Sequence, residues 1–398
     1  MKKIFILGAS SLQIPAIKKA KEKGLYVYAL DYNPEAEGIS LADEFLCIST
    51  IDKEAVLEAA VKYKPDYIIT STSDMPVRTV AWVNEKLGRP VDITYQNAIC
   101  ATDKGAMRDR LKENNVPIPQ FYIVNDYETF SDVLNKFKDV FIIKPADNAA
   151  SRGVMLIDKK QSNDYKKIFE FTQGYSRSGR VLLEEYMDGP EVSVETYTEN
   201  GKSNIITITD KITTKLPYFV ELGHTEPSRH PDKIQQEIKK VALQAIKAIG
   251  INNGPSHTEL KLTQSGVKVV EIAARLGGDF ITSRLVPLST GVDMVDCSLS
   301  HVVGEYVDCD IKLKRGAAIR FISANEGVIR DIKGIDIAKG MPGVQEVCIM
   351  RKVGDKISGL KNSSDRIGYV ISIGDNADEA EKNCMNAIEQ IKITVQSC

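Results

Sequence analysis

The sequence predicts an α/β protein in which a parallel α/β region is followed by an α+β region and a mixed C-terminal part. Strands alternate with helices up to residue 100, a pattern typical of a parallel sheet covered on both faces. Beyond that point, short strands follow one another with turn residues between them, which marks a domain boundary. A length of 398 residues is too great for one hydrophobic core. We therefore expect two or three domains, with a boundary near residue 100.

The N-terminal region supplies the parallel pattern. Its predicted strands are three apolar runs, KIFILG, LYVYALD and DYIITSTS. Its predicted helices carry apolar residues at helical spacing and end at glycine or proline: SLQIPAIKKAKEKG, DKEAVLEAAVKYKP and PVRTVAWVNEKLG.

The region after residue 100 opens with a predicted helix, DKGAMRDRLKENN, and the stop signal VPIP ends it. Short strands are predicted next: FIIKP, VMLID, VLLEEYM, EVSVETYTE and NIITITD. A long helix, DKIQQEIKKVALQAIKAIG, leads into a hairpin within HTELKLTQSGVKVVEIAARLGG. In the C-terminal part, the strands GAAIRFIS and IGYVISIG precede a final helix, ADEAEKNCMNAIEQIK.

Composition indicates a cytoplasmic protein with no nucleic-acid or membrane partner. A formal charge of -2 and a pI near 6.2 give no sign of a basic nucleic-acid surface. No apolar run reaches the roughly 18 residues that a membrane span requires. The apolar run in MKKIFILGAS is too short for a signal peptide, and we interpret it as a strand. The 7 cysteines include no CxxC pair, which indicates reduced thiols.

The hairpin carries two glutamates, Glu259 and Glu271, where a sheet would ordinarily place apolar residues. If residues 264–266 form a three-residue loop with Gly266 in the left-handed conformation, Glu259 lies directly opposite Glu271. With a four-residue loop, the two side chains would point to opposite faces.

Two carboxylates placed face to face repel each other and lose solvation, so a positive partner must lie near them. One interpretation is a structural ion pair with Lys261 on the same face. The other is a divalent-cation site, because Mg²⁺ prefers one or two carboxylates with phosphate oxygens and water. The guanidinium of Arg275 suits phosphate or carboxylate, and Gly277 and Gly278 let backbone N–H groups approach an anion. These neighbours favour the metal and indicate a polyphosphate site.

At these motifs the sequence resembles the ATP-grasp superfamily of carboxylate–amine ligases, most closely the branch that contains L-amino acid ligases. The similarity is densest from about residue 100 to 305, and the order of the flanking domains is also similar. The resemblance implies an N-terminal α/β domain (1–100), an ATP-grasp nucleotide-binding domain (101–312) and a C-terminal mixed lid domain (313–398). It also implies ATP and Mg²⁺, or Mn²⁺, as cofactors.

The resemblance assigns two phosphate-binding lysines. Lys104 matches the lysine of a "DK" helix start that reaches the ATP phosphates, and Lys144 matches the lysine that ends a strand as "IKP". Lys144 is also an expected catalytic residue. The next loop, ADNAASRGV, resembles the flexible loop that covers the phosphates, with Ser151 and Gly153 as expected nucleotide contacts. The family's loop is normally richer in glycine, and this chain keeps one.

The run VLLEEYMDGPE resembles the adenine hinge of the family. The resemblance implies that the backbone of residues 185–187 (Glu185, Tyr186, Met187) bonds adenine. Glu184 is expected to receive the exocyclic amine, and Glu191 to bind the ribose hydroxyls.

Glu259 and Glu271 match the family's metal-binding pair, and Arg275 matches its catalytic transition-state arginine. The family commonly has asparagine two residues after the second glutamate, as a further metal ligand, where this chain has Ala273. A methyl group cannot coordinate magnesium. Either water fills that position or a second metal is held more weakly.

The implied reaction starts when a substrate carboxylate attacks the γ-phosphate of ATP, and an amine then captures the acyl phosphate. Because water would destroy that intermediate, residues 147–153 and 211–230 are expected to close over the site. His257 is expected to be a packed strand histidine. The expected substrate contacts are His224, Arg275, Gly277, Gly278 and Arg284. A surface histidine is the alternative for His224, and a helix-surface salt bridge is an equal alternative for Arg284.

The expected partners are a small-molecule carboxylate and an amine. The sequence leaves their identity open, because the acid and amine pockets are assembled from distant segments. It also leaves the pathway and the oligomeric state open, although the family often forms homodimers.

Other functions compete with this interpretation. An oxidoreductase is suggested by IFILGASSLQIPAIKKA, but GASSLQ is not the GxGxxG fingerprint of dinucleotide binding. A nucleotide-binding module without ligase activity is suggested by Ala273 and by the glycine-poor loop. Among ligases, a purine-pathway enzyme or an enzyme that activates bicarbonate is also compatible with the sequence.

Overall fold

The three predicted N-terminal strands and an unpredicted fourth strand (Glu44–Cys47) build a parallel sheet. The fold was obtained as a computed structural model that describes residues 1–147, 152–214 and 220–396. The sheet has the order β3-β2-β1-β4. Its strands are β1 (Lys3–Leu7), β2 (Tyr26–Asp31), β3 (Glu44–Cys47) and β4 (Tyr67–Thr70). The helices of this region are α1 (Ile14–Glu22), α2 (Lys53–Tyr63) and α3 (Met75–Lys86).

Two short helices lead into a small antiparallel sheet of order β5-β8-β6-β7. The two short helices are α4 (Tyr95–Cys100) and α5 (Lys104–Glu113). The sheet comprises β5 (Phe121–Val124), β6 (Val140–Pro145), β7 (Met155–Asp158) and β8 (Val181–Glu185), with α6 (Tyr127–Leu134) and α7 (Tyr165–Gly174) connecting its strands. Asp103 starts α5 by accepting a hydrogen bond from the Ala106 N–H at 2.8 Å. This start fixes Lys104 in the first turn of the helix.

An eight-stranded antiparallel sheet forms the centre of the molecule, in the order β13-β12-β9-β10-β11-β14-β18-β16. Its strands are β9 (Glu191–Glu199), β10 (Lys202–Thr213), β11 (Glu221–Glu226), β12 (Gly254–Thr263), β13 (Gly266–Ala273), β14 (Gly316–Ile322), β16 (Val344–Ile349) and β18 (Gly368–Gly374). Helix α8 (Asp232–Ile249) packs on it through buried Ile238, Val241 and Ala245. A π-helical turn (Ile281–Leu285) continues into α9 (Val286–Thr290), and α10 (Met294–Val303) follows.

The C-terminal part completes the fold around this sheet. It adds a three-stranded sheet of order β17-β15-β19, with β15 (Gly327–Lys333), β17 (Lys356–Ile357) and β19 (Lys392–Gln396), and the helices α11 (Ile335–Lys339) and α12 (Ala377–Gln390). Because β14 pairs with β11, the expected lid region shares one continuous sheet with the region before residue 313. No helix in the described ranges is long and apolar enough to cross a membrane.

Candidate active site

Glu259 and Glu271 face each other across β12 and β13, as the sequence predicts. The predicted three-residue loop, however, is wrong. Thr263 already pairs with Gly266, so residues 264 and 265 alone form the turn. Such a turn would set Glu259 opposite the residue before Glu271.

A bulge in β13 restores the predicted pairing. The register shifts between Glu259 and Leu260, which leaves Val270 as the extra residue. The carbonyl of Val270 accepts a hydrogen bond from Arg108 Nη2 at 2.7 Å. A buried arginine on α5 thus satisfies the backbone group at the bulge, next to Glu271.

Each glutamate has its own lysine. Lys211 Nζ lies 2.6 Å from Glu259 Oε1, and Lys104 Nζ lies 2.9 Å from Glu271 Oε1. Lys261, the partner considered from the sequence, instead lies 3.4 Å from a carboxylate oxygen at the start of β9. The repulsion between the two carboxylates is therefore offset by cations from α5 and β10.

These neighbours keep the cluster ionised. Burial would lower the pKa of the Lys211 amine, but Glu191 and Glu259 raise it well above its ordinary value. Burial would raise the pKa of the Glu259 carboxyl, but Lys211 and His257 hold it well below its ordinary range. At neutral pH the site therefore presents alternating positive and negative charges.

The paired carboxylates offer the hard oxygen donors that magnesium prefers. In the ranges that the structure describes, no group of three or more His, Cys, Asp or Glu side chains could hold a metal ion by itself. Ala273 faces His257 across the hairpin, and its methyl group adds no ligand. This donor set fits a magnesium ion whose remaining ligands are phosphate oxygens and water.

His257 connects Glu259 to a second buried carboxylate, Glu195. The His257 Nδ1 atom lies 2.6 Å from Glu195 Oε1, and Nε2 lies 3.4 Å from Glu259 Oε1. Burial would lower the pKa of His257, but these carboxylates raise it to about 9. A Cβ atom at Gly277 would lie 2.8 Å from Glu195 Oε2 and 2.9 Å from His257 Nδ1, so glycine is required there by packing.

Glu184 orients Lys144 in the same region. Its oxygens lie 2.5 Å from Arg108 Nε and 2.5 Å from Lys144 Nζ. Burial would raise the pKa of Glu184, but these two cations lower it to about 2. Burial lowers the pKa of Lys144 even with Glu184 beside it. Glu184 thus already bonds two cations at the position where the resemblance expects an adenine contact.

A cavity of about 270 Å³ brings most of the predicted nucleotide-binding residues together. Glu259, Glu271 and Arg275 line one side of it. The predicted nucleotide-binding residues that line it are Lys104, Lys144, Glu184, Tyr186, Met187 and Glu191. This cavity is therefore the candidate nucleotide site.

A second cavity of about 350 Å³ shares Glu259, Lys211 and Arg275 with the first. It extends to Leu12 of the N-terminal region and to Lys361 of the C-terminal part. The candidate substrate site is thus assembled from all three predicted domains.

His224 lines this second cavity from β11. Its ring is 1% exposed and meets the Phe321 ring edge-on, with centroids 6.1 Å apart. Neither ring nitrogen has a hydrogen-bond partner among the described residues, and the nearest carboxylate, Asp279, is 3.7 Å from Nε2. Gly278 also lines the cavity, and a Cβ there would meet no atom within 4 Å.

Arg366, from the C-terminal part, binds Asp279 in the wall of this cavity. It donates to both oxygens of Asp279, at 3.0 and 2.9 Å, and its guanidinium carbon lies 3.6 Å from the centre of the Phe321 ring. Burial would raise the pKa of Asp279, but His224 and Arg366 hold it below its ordinary range. Asp279 has a φ of 48°, a conformation that non-glycine residues rarely adopt.

The remaining predicted residues lie outside these cavities or outside the described residues. Ser151 is outside the described ranges. The Glu185 side chain is paired with Lys268 at 2.9 Å, away from the first cavity. Gly153 has a φ of +76°, and a Cβ there would lie 2.8 Å from a Tyr175 atom, so glycine is required by the backbone.

Arg284 is a correction to the predicted substrate contacts. Its side chain is 49% exposed and lies 3.3 Å from Glu346, which is the surface salt bridge considered as the alternative. It lines neither the nucleotide cavity nor the second cavity. It lies in the π-helical turn Ile281–Leu285.

Several residues at the site were missed from the sequence. Arg108 had a usable signal, because it lies four residues after Lys104 and so on the same helix face. Asp74, which pairs with Arg275, and Glu195 carry no local signal. Arg366 also carries no local signal, because its contact with Glu221 joins residues that are 145 positions apart in the chain.

Comparison with known proteins decides the family of the central region. The family model for the ATP-grasp domain matches residues 137–283, and the model for L-amino acid ligase C-terminal domain 2 matches residues 320–396. The chain contains an ATP-grasp domain. The second match lies in the region that contributes Arg366 and Lys361 to the site.

Similar proteins include one uncharacterized protein and ligases of two kinds. An uncharacterized protein, y4rH, of Sinorhizobium fredii is 27% identical over 73% of this chain but only 60% of its own length. An L-arginine-specific L-amino acid ligase of Bacillus subtilis is 22% identical over 89% of this chain and 86% of that protein. A phosphoribosylamine–glycine ligase of Methanococcus maripaludis is 22% identical over 98% of this chain and 94% of that protein.

The ATP-grasp arrangement extends over the whole chain in three dimensions. The crystal structure of an L-amino acid ligase from Bacillus licheniformis superposes with a TM-score of 0.83 and covers 100% of this chain at 22% identity. The architecture predicted from the sequence, with an ATP-grasp fold between two flanking regions, is therefore confirmed.

Proposed function

We propose that this protein is an ATP-dependent carboxylate–amine ligase that acts on amino acids or related small carboxylates. The observation that carries the proposal is the face-to-face pair Glu259 and Glu271, with Lys104, Lys211 and Arg275 around it. Alternating charges of this kind suit a polyphosphate and a divalent cation more than an apolar ligand.

ATP is assigned to the first cavity. Lys104 and Lys144 bind its phosphates, the backbone at Tyr186 and Met187 bonds adenine, and Glu191 binds the ribose. Glu259 and Glu271 would hold magnesium, which would supply neutralisation of the phosphate charge. Glu184 keeps Lys144 aimed at the phosphates because its carboxylate fixes the ammonium group at 2.5 Å.

The reaction is assigned to the junction of the two cavities, where Arg275 lies. A substrate carboxylate oxygen bonds the γ-phosphorus as the bond to ADP breaks, which gives an acyl phosphate. An amine then bonds the acyl carbon, loses a proton and expels phosphate. Arg275 stabilises the charge of the transferring phosphoryl group, so the protein needs no nucleophile of its own.

The second cavity is assigned to the acid and the amine. The unbonded nitrogens of His224 point to a polar substrate, because burying a polar group without a partner is costly. The similarity to an L-arginine-specific L-amino acid ligase over most of both chains supports amino acids as substrates.

The test is ADP release from ATP and Mg²⁺ with pooled amino acids present and absent. We expect amino-acid-dependent turnover that Glu271→Gln lowers about a hundredfold or more, since a charge-stabilising group is lost. Glu305→Gln is the matched control, because Glu305 forms a 2.8 Å ion pair with Lys23 at the surface. Turnover that Glu271→Gln leaves unchanged would remove the metal assignment.

A purine-pathway ligase is the second candidate. The match to a phosphoribosylamine–glycine ligase that spans 98% of this chain favours it. Phosphoribosylamine with glycine, and bicarbonate alone, belong in the same assay. Nucleotide binding without turnover on any of these substrates would instead favour a nucleotide-binding module.

A further inference from the structure

A third cavity, larger than the other two, lies behind the reaction site. Its volume is about 530 Å³, within the range of small-molecule pockets. Strand β4 and helix α3 form one wall, and α10 with residues 274–276 forms the other. Within the described residues it shares only Arg275 with the first and second cavities.

Apolar side chains cover most of this third cavity. They come from both walls and include Ile69, Val77, Val80, Leu276, Val295 and Leu299. The lining therefore suits the apolar body of a ligand.

Two polar atoms at the ends of the third cavity, Arg89 Nη1 and Ser71 Oγ, have no hydrogen-bond partner in the described residues. Arg89 uses Nη2 to bond the Pro65 carbonyl at 2.6 Å, while its buried Nη1 has no hydrogen-bond partner. No carboxylate of the described residues lies within ion-pair distance of Arg89, although His301 and Asp92 pair with each other in the same wall at 2.9 Å. At the far end of β4, the hydroxyl of Ser71 is buried, 4% exposed, and also has no partner.

We propose that the third cavity binds a small apolar molecule with one carboxylate, and that this site is separate from the nucleotide and substrate sites. The free N–H of Arg89 receives the carboxylate, the aliphatic walls take the apolar body, and Ser71 bonds a polar group at the other end. The charge of Arg89 selects an anion, because the two carboxylates in the lining have other partners: Asp92 pairs with His301, and Asp66 accepts a hydrogen bond from the Lys3 N–H at 2.7 Å.

The first test uses anilinonaphthalene sulfonate, an apolar anion whose fluorescence rises on burial, with decanoate as the displacing carboxylate. We expect saturable binding to the intact protein that decanoate displaces and MgATP does not. Displacement by MgATP, or fluorescence that does not saturate, would overturn the proposal.

The second test fills the third cavity from opposite walls with Val80→Phe and Ser298→Phe, so that one variant suffices if the other fails to fold. Each is expected to weaken probe binding about tenfold or more, because added volume removes the space for the ligand. Val61→Phe is the matched control, since Val61 lies on α2 and is 59% exposed. Unchanged probe affinity in a folded cavity-filled variant would refute the site.

The charge of Arg89 is tested separately. Arg89→Gln should weaken decanoate binding about tenfold, since a hydrogen bond between charged groups is lost. Arg89→Lys should restore most of the affinity, and Arg330→Gln, at an arginine that bonds Gln396 elsewhere, should leave it unchanged. Equal affinity in Arg89→Gln and the unmodified protein would exclude anion selection by Arg89.

Discussion

Asp74 holds Arg275 by a 2.7 Å hydrogen bond between its Oδ1 and the Nε of the arginine. Asp74 belongs to the N-terminal region, at the start of α3, but its side chain caps no helix N–H group. Burial would lower the pKa of Arg275, but Asp74 keeps it raised. The parallel α/β region thus orients the arginine that we assign to phosphoryl transfer.

Asp74→Asn should lower kcat by about tenfold to a hundredfold, because a hydrogen bond between charged groups contributes roughly 1.5–3 kcal/mol. The KM for ATP should change little, since Asp74 acts through Arg275. Steady-state kinetics with ATP varied separates the two effects. Asp331→Asn, at a surface pair with Lys333, is the control. A change confined to KM would show that Asp74 contacts nucleotide instead.

His224→Phe should raise the KM of one amino acid substrate about tenfold while the KM for ATP stays constant, because a polar contact in the second cavity is lost. Phenylalanine keeps the ring that packs against Phe321. His230→Phe, at a partly exposed histidine, provides the comparison. If both variants keep the substrate KM of the unmodified protein, His224 has only a packing role.

Ala273→Asn should lower the Mg²⁺ concentration for half-maximal activity several-fold, because the amide oxygen adds a hard donor beside the carboxylate pair. Ala274→Asn is the matched control at the next position. Activity of the unmodified protein should disappear with a chelator and return with Mg²⁺ or Mn²⁺. An unchanged Mg²⁺ requirement in Ala273→Asn would mean that position 273 does not face the metal.

The stability of the protein should fall as pH rises through the range in which Glu226 ionises. Burial raises the pKa of this carboxyl from 4.5 to about 8, against the hydrogen bonds from Ser289 and Thr209. A pKa raised in the folded state stabilises the fold below about pH 4.5, and that contribution is lost as pH approaches 8.

Thermal unfolding across this pH range tests the assignment of Glu226. Glu226→Gln keeps a polar group at the same position but cannot ionise, so its unfolding temperature should decline less between pH 5 and pH 9. Glu199→Gln, at an exposed position on β9, should follow the unmodified protein. Parallel pH profiles for all three proteins would contradict the assignment.

The hairpin shows how much of the site could be predicted from the sequence. Alternation along a strand predicted that Glu259 and Glu271 share a face, and they do. The bulge at Val270 could not be predicted, because the arginine that bonds its carbonyl, Arg108, lies on a distant helix. The shorter turn and the bulge each shift the register by one residue, in opposite directions, so Glu259 still pairs with Glu271.

The ion-pair partners of the site residues were harder to predict than the helices and strands. Lys261 was the obvious local cation, yet Lys211 on another strand contacts Glu259. The order of the strands in the central sheet decides which lysine lies beside Glu259. Alternation within one strand carries no information about that order. The contact of Arg284 with Glu346 likewise depends on the packing of a strand from the C-terminal part, which the local sequence does not show.

The bulge at Val270 separates the hairpin tip from the carboxylate pair. Residues 264 and 265 are exposed, and the register on their side of the bulge differs from the register at Glu259. The tip is consequently a suitable insertion point for a reporter peptide or an immobilisation handle, since the strand geometry around the carboxylates is anchored from α5 and not from the turn.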